Sequence, residues 1–224
     1  MEYIDIFDEN NNLTGKVKEK QQAHQDGNFH RTAHIHEEEY KYLFKYITNK
    51  NIKIKKCNAN DVDSIYDIQN IVIDNFKEEE KGYFLPFKKD AYLRIVNDPI
   101  NDGEIYGAFI DNKMIAWIFL SVSNRMKELK QMIPKIKGNC ADIDGVIVLP
   151  EYRGYGLQKI LVKYLEEKAR EKGISNIIAE VTFGNVYSLR NLKDLGYEEQ
   201  TWYQKDENIK RYILLKKLGE VDNE

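Results

Sequence analysis

A glycine turn between an apolar run and an amphipathic helix is the part of the sequence best suited to chemistry. Residues 148–157 read Val-Leu-Pro-Glu-Tyr-Arg-Gly-Tyr-Gly-Leu. The first turn of a helix presents unpaired N–H groups and the positive end of the helix dipole, and glycines let a phosphate approach the backbone closely. Arg153 adds a positive charge. The segment therefore predicts a phosphate site, although Gly-x-Gly alone also fits an ordinary turn between a strand and a helix.

The spacing of this turn separates it from two common nucleotide-binding motifs. It has neither the Gly-x-Gly-x-x-Gly of dinucleotide sites nor the Gly-Lys-Ser/Thr of a P-loop. It resembles the motif that binds the pyrophosphate of coenzyme A in the GNAT superfamily of acyl-CoA N-acyltransferases. The family pattern is Val-x-Pro-x-x-Arg-Gly-x-Gly-x-Gly/Ala, which is matched in register by Val148, Pro150, Arg153, Gly154 and Gly156. Gln158 replaces the last small residue, so we expect a more crowded helix start.

A second stretch further along the chain resembles the same family. Asn185 and Ser188 match its Asn-x-x-Ala/Ser helix, and Leu195, Gly196 and Tyr197 match the Leu-Gly-Phe/Tyr that follows. The resemblance covers about residues 52–218. It implies an α/β GNAT fold, with a mixed central sheet, two splayed strands (142–149 and 177–181) and flanking helices, plus a small N-terminal appendage.

The same resemblance implies that acetyl-CoA is the cosubstrate, with its pantetheine arm between the splayed strands and no metal required. Val146, Ile147 and Val148 would bind pantetheine through their backbone, and Asn185 would face the coenzyme from the following helix. The full set of implied coenzyme-binding residues is Val146, Ile147, Val148, Arg153, Gly154, Tyr155, Gly156, Leu157, Gln158 and Asn185.

Two aspartates are the candidates for the catalytic base. An amine of pKa about 10.4 is neutral in roughly one molecule in 2,500 at pH 7, whereas a thiol of pKa about 8.5 lies much closer to its thiolate, so the base matters more than the acid. Asp142 and Asp144 stand at i and i+2 of a strand and therefore share a face. By register from Val148, Asp142 falls where some family members carry the catalytic carboxylate. The alternative is two solvated carboxylates at the exposed start of a strand.

The general acid is less clear from the sequence. Many GNAT enzymes carry a tyrosine seven residues after the motif asparagine, where this chain has Leu192. Another donor such as water could serve, the thiolate could leave unaided, or the domain could bind acyl-CoA without efficient turnover. Tyr187 is a poor substitute, because five helical positions turn it away from the Leu192 face. Residues 78–87, acidic and then aromatic, form a loop that we expect to contact a cationic amine, with a solvated charge run as the alternative.

Periodicity predicts the elements that position these residues. A helix capped by Asn60 carries apolar residues at helical spacing, and Asp111-Asn112 forms a tight turn between two antiparallel strands. The predicted helices are 62–76, 91–96, an insertion within 125–137, 157–169 and 185–195; the predicted strands are 52–54, 104–110, 114–122, 141–149, 177–181, 197–203 and 211–215.

Composition limits the classes of function. The 224 residues suit one core with an appendage, and 34 Lys and Arg against 37 Asp and Glu give a net charge of −3. We therefore expect neither a nucleic-acid nor a membrane partner, and a homodimer is left open. No secretory signal is visible, so we expect a cytoplasmic protein. Cys57 and Cys140 are isolated and predict buried free thiols.

The first 36 residues contain all four histidines. Glu2–Asn10 with the later His30-Arg31 resembles the opening of Nudix hydrolases related to isopentenyl diphosphate isomerase. The carboxylate-rich Nudix box that holds magnesium is missing, which predicts a retained fragment without hydrolase machinery. A metal site formed by His24, His30, His34 and His36 is an alternative. The spacing of apolar residues in 40–47 fits a helix and a strand equally well, and the acidic residues before it and Lys50 after it favour a helix.

These observations lead to one main hypothesis and two alternatives. We expect an N-acetyltransferase that moves an acetyl group from acetyl-CoA to a primary amine of a small molecule or a peptide by direct attack on the thioester. A non-catalytic acyl-CoA sensor and, further behind, a Nudix-type diphosphate hydrolase are the alternatives. The expected organisation is a Nudix-like fragment with a connecting helix at 1–50, the GNAT domain at 51–218 and a tail at 219–224.

Overall fold

The computed structural model describes residues 3–7, 13–19, 52–133 and 136–219. The chain divides into two units, Met1–Leu43 and Phe44–Glu224. In the first unit, strand β1 (Tyr3–Phe7) pairs antiparallel with strand β2 (Leu13–Glu19). The four histidines and the helix predicted at 40–47 lie outside the described residues.

The second unit contains a mixed sheet of seven strands in the order β3-β4-β5-β6-β7-β9-β8. The pairs are antiparallel except for β6 and β7, which run parallel. The strands are β3 Lys53–Lys56, β4 Gly103–Ile110, β5 Lys113–Ser121, β6 Cys140–Val148, β7 Asn176–Thr182, β8 Glu198–Gln204 and β9 Lys210–Lys217.

Five α-helices of the described chain cover both faces of this sheet. They are α1 Val62–Asp74, α2 Lys89–Asn97, α3 Asn124–Gln131, α4 Leu157–Glu171 and α5 Val186–Asp194. On one face, here called the coenzyme face, Leu161 of α4 and Leu192 of α5 pack with Ile143 of β6. On the other, here called the acceptor face, α1 and α2 pack around Trp117, and α3 packs on Ile178 through Leu129. Both faces are thus closed by apolar helix stripes, as a buried sheet requires.

Local signals account for the element boundaries. Asp111 (φ +49°) and Asn112 (φ +65°) adopt left-handed conformations in the β4–β5 turn, which short polar side chains tolerate. The predicted cap Asn60 is wrong, because the N-cap of α1 is Asp61. The Asn58 side chain accepts from the Asn60 N–H (2.9 Å) and caps the 3₁₀ turn Ala59–Asp61 that leads into α1. The inserted segment forms α3, which ends before Pro134.

Candidate functional site

The parallel strands β6 and β7 pair for only part of their length. Their pairing runs from Cys140 opposite Asn176 to Ile143 opposite Ala179, yet β6 continues to Val148. On its other side β6 carries a bulge, because three steps along it match two along β5. Such bulges bend a strand and increase its twist. The strands therefore separate after Ile143 and leave a gap in the sheet, as predicted for the splayed pair.

The backbone of β6 beyond the bulge points alternately toward β5 and toward the gap. The Leu149 N–H donates to the Ile115 carbonyl of β5 (3.1 Å). Because backbone groups alternate sides along a strand, Ile147 also faces β5, while Val146 and Val148 face the gap. The expectation for Ile147 is thereby revised: its N–H and C=O belong to the sheet, and its side chain is 2% exposed in the core.

The glycine turn lies directly after β6. Pro150–Tyr152 form a 3₁₀ turn, and Gly154 (φ +82°) and Gly156 (φ +72°) adopt left-handed conformations that disfavour other residues. Gly156 is the N-cap of α4 and supplies no side-chain cap, and a Cβ added at Gly154 would meet nothing within 4 Å. The N-terminus of α4 thus has no side-chain cap, and the turn before it leaves space at Gly154, which fits an anionic group.

The remaining residues of the turn divide between the site and the core. The exposed Arg153 is tied to the end of β6, because its Nε donates to the Val148 carbonyl (3.3 Å). Tyr155 is half-buried and packs against the coenzyme-face core, and Leu157 is 3% exposed within it. Leu157 therefore anchors the start of α4, and its side chain is directed away from the anion site.

Gln158, which departs from the family pattern, connects α4 to α5. Its Nε2 donates to Ser188 Oγ (2.9 Å), and its Oε1 accepts from Asn191 Nδ2 (2.7 Å). These bonds direct the side chain toward α5 and tie the two helices that flank the gap on the coenzyme face. The crowding expected from Gln158 is relieved in this way.

Asn185 has a capping role in addition to the coenzyme contact that the resemblance implies. It is the N-cap of α5, and its Oδ1 accepts from the Ser188 N–H (3.1 Å). The same helix carries Leu192 inward, 3% exposed in the core, and Tyr187 outward, 73% exposed. Contact between Asn185 and a coenzyme stays a prediction.

The two candidate bases lie on the acceptor face of β6. Asp142 is opposite Ile178 inside the paired segment and is 2% exposed, which rules out a solvated carboxylate there. Asp144 follows the last pair and is half-buried at the edge of the gap. Burial raises the pKa of Tyr92 of α2, and the charge of Asp144 raises that pKa further, so this carboxylate lies near the helices of the acceptor face.

A third carboxylate, which the sequence reading missed, lies on β7 directly after the segment that pairs with β6. Glu180 follows Ala179, the last paired residue of β7. Arg211 Nη1 donates to its Oε2 (2.9 Å), and the Tyr203 hydroxyl donates to its Oε1. The Glu180 and Arg211 side chains are 8% and 11% exposed. The signal was a lone glutamate in an apolar strand, whose charge needs a partner when buried.

The sheet thus opens between β6 and β7 close to the N-terminus of α4, an arrangement that can accommodate an anionic group. Residues 66–197, more than half of the chain, match the acetyltransferase (GNAT) family. The protein belongs to the acetyltransferase (GNAT) family. Among curated proteins, the uncharacterized protein YyaT of Bacillus subtilis is 29% identical over 85 residues, 38% of this chain. The chain spans about half of that relative, 55% of its length.

Solved structures share the fold. The ribosomal-protein-S18-alanine N-acetyltransferase of Escherichia coli matches 77% of this chain and 97% of its own, with a TM-score of 0.57 and 15% identity. An N-acetyltransferase of Staphylococcus aureus matches 75% and 99%, with a TM-score of 0.59 and 16% identity. The yncA protein of Salmonella typhimurium, solved with its cofactor acetyl-CoA, matches 76% and 96%, with a TM-score of 0.58 and 15% identity.

Three other expectations can be compared with the described residues. The family match begins at residue 66, and neither it nor the β1–β2 pair supports the Nudix resemblance of residues 1–36. Among the side chains of 52–133 and 136–219, no group of three or more His, Cys, Asp or Glu is placed to hold a metal ion. None of the helices in those ranges is long and apolar enough to cross a membrane.

Proposed function

We propose that this protein transfers the acetyl group of acetyl-CoA to a primary amine. The observation that carries the proposal is the direct succession, within one chain segment, of the β6 gap and the glycine turn. β6 leaves β7 after Ile143, and the next turn of the chain opens onto the uncapped N-terminus of α4. A thioester arm fits the gap, and the pyrophosphate of the same molecule fits the turn.

On the coenzyme side, the chain supplies backbone groups and one fixed cation. Val146 and Val148 direct N–H and C=O groups into the gap, where an amide-containing arm can extend the sheet as an added strand would. The N–H groups of Gly156, Leu157 and Gln158 meet the pyrophosphate at the helix N-terminus, and Arg153 lies beside it. Asn185, the N-cap of α5, is a further residue that we propose contacts the coenzyme.

On the acceptor side, the chain supplies one buried and one half-buried carboxylate. Asp144 removes the proton that keeps an amine from attacking the thioester directly, and Asp142 supports it from inside the paired segment. Because a general base needs hydrogen-bond reach of about 2.6–3.2 Å to the proton that it takes, the amine must enter from the acceptor face. Residues 51–218 are the proposed acetyltransferase domain.

Turnover is tested by incubating the protein with acetyl-CoA and single amines, and by following both free thiol release and the mass of the acceptor. We expect thiol release that depends on the amine, and an acceptor whose mass has increased by that of one acetyl group in place of one hydrogen. Thiol release without an acetylated amine would indicate hydrolysis and contradict the proposal.

A non-catalytic acyl-CoA sensor is the second candidate. The burial of Leu192 favours it, because no hydroxyl stands at that position of α5. The two candidates differ in one observable: the sensor binds acetyl-CoA and leaves it intact in the presence of every amine offered.

A further inference from the structure

The loop between α1 and α2 crosses the gap on the acceptor face. Its consecutive residues Tyr83 and Phe84 each lie against a glycine on a different strand or strand end. A Cβ on Gly184, after β7, would lie 3.3 Å from the Tyr83 hydroxyl oxygen, and a Cβ on Gly145, in β6, would lie 2.9 Å from Phe84 Cε2. The loop therefore spans the two strands that part below it.

A hydrogen bond fixes the centre of this loop to β7. Thr182 Oγ1 donates to the Gly82 carbonyl (3.0 Å), and Thr182 is 7% exposed. Gly82 itself has φ +93°, and a Cβ there would lie 2.8 Å from Ile209 Cδ1 of the β8–β9 turn. This position favours glycine because of its backbone conformation.

The other end of the loop is fixed by aromatic packing and a buried amide. Phe84 meets Trp117 of β5 edge to face, with centroids 5.9 Å apart. The Gln69 side chain of α1 accepts from the Phe87 N–H (2.8 Å) and donates to the Phe87 carbonyl (3.0 Å). The loop is thus held at β5, β6, β7 and the β8–β9 turn.

From these contacts we infer that Thr182 is a specificity-determining residue, which latches the Lys77–Phe87 loop as a fixed roof over the gap and restricts the acceptor to small free amines. If this roof stays in place the acceptor has to be small, because an amine on the surface of a folded protein would displace the loop on its way to Asp144. The inference rests on the proposed function for the reaction and on the loop contacts for the selectivity.

The latch is measured without any acceptor, by hydrogen exchange in the intact protein. Thr182→Val keeps the side-chain shape and removes the donor, and Thr182→Ser restores the donor. Because one hydrogen bond contributes modestly to stability, we expect exchange across residues 77–87 to be roughly fivefold faster in Thr182→Val. The serine variant should match the wild type, as should residues 157–171 of α4 in all three proteins. Equal exchange in the valine and serine variants would overturn the latch.

Selectivity is measured with two kinds of acceptor: the free amines spermidine, tyramine and glucosamine, and the lysines and N-terminus of folded ubiquitin. We expect acetylation of at least one free amine and none of ubiquitin. In Thr182→Val, where the roof is loosened, we expect acetylation of ubiquitin to become detectable, with the acetyl-CoA Kd unchanged. Ubiquitin acetylated as fast as the best free amine, or no free amine acetylated despite acetyl-CoA binding, would overturn the acceptor assignment. Absence of acetyl-CoA binding would instead contradict the proposed function.

Discussion

Replacing Asp144 with asparagine tests the proposed base with almost no change in shape. Asp144 is the first β6 residue past the last β6–β7 pair and is half-buried, whereas Asp142 is 2% exposed within the paired segment. A positioned general base contributes about 10²- to 10⁴-fold. We therefore expect Asp144→Asn to lower kcat/KM for the amine by at least about 100-fold at pH 7, and by more than Asp142→Asn does.

The pH dependence of this loss separates a base from a merely structural carboxylate. Between pH 7 and pH 9 the neutral fraction of an amine of pKa about 10.4 rises roughly 100-fold, so the need for a base falls by as much. The deficit of Asp144→Asn should shrink accordingly toward pH 9.

The assay is thiol release at saturating acetyl-CoA over this pH range, with Asp111→Asn in the exposed β4–β5 turn as a matched control. The control should keep wild-type rates, and the acetyl-CoA Kd should be the same in all variants. An equal loss at pH 7 and pH 9 would refute the role of Asp144 as base.

Three further predictions concern the framework around the site. Gln158→Ala should lower the free energy of unfolding in urea by about 1–3 kcal/mol, because two hydrogen bonds between α4 and α5 are lost; unchanged stability would remove the bridging role. Leu192→Tyr should destabilise by about 1–3 kcal/mol through overpacking, without raising kcat, and a faster enzyme would show that the position can hold an acid. Burial raises the pKa of Glu104, but bonds from Lys56, Tyr106 and Lys172 outweigh it and leave that pKa below 4.5. The stabilisation by Glu104 is therefore present above pH 4.5 and lost as the pH falls through the lowered pKa. In Glu104→Gln, the free energy of unfolding measured in urea should therefore fall less steeply below pH 4.5 than in the wild type.

The sequence predicted the parts of the site that depend on backbone chemistry. The turn could be recognised from the type and spacing of its glycines, because few other residues tolerate the left-handed conformations found at Gly154 and Gly156. The apolar runs of β6 and β7 indicated strands buried on both faces, and the family resemblance supplied their separation.

Features that depend on three-dimensional register could not be predicted in the same way. The bulge in β6 decides that Ile147 faces β5 while its neighbours face the gap. Gly145 (φ +147°) lies within this bulge and signals an irregularity, but the direction of the shift follows only from the pairing with β5. Glu180 reads as an isolated charge until Arg211 and Tyr203, which lie on the two neighbouring strands, are seen to donate to it. Gln158 reads as an obstruction at a helix start until Ser188 and Asn191 of α5 are seen to bond it.

The central claim is that acetyl-CoA is held at the start of α4, and calorimetric titration of acetyl-CoA tests it most directly. The variant is Gly156→Trp, and the matched control is Gly173→Trp at the other end of α4. Both glycines are left-handed, with φ of +72° and +68°, and a Cβ at Gly173 meets nothing within 4 Å, so the two variants carry a similar backbone strain of about 1–2 kcal/mol. We predict that the wild type and Gly173→Trp bind acetyl-CoA and that Gly156→Trp does not. A wild type that fails to bind, or two variants that are weakened equally, would contradict the claim.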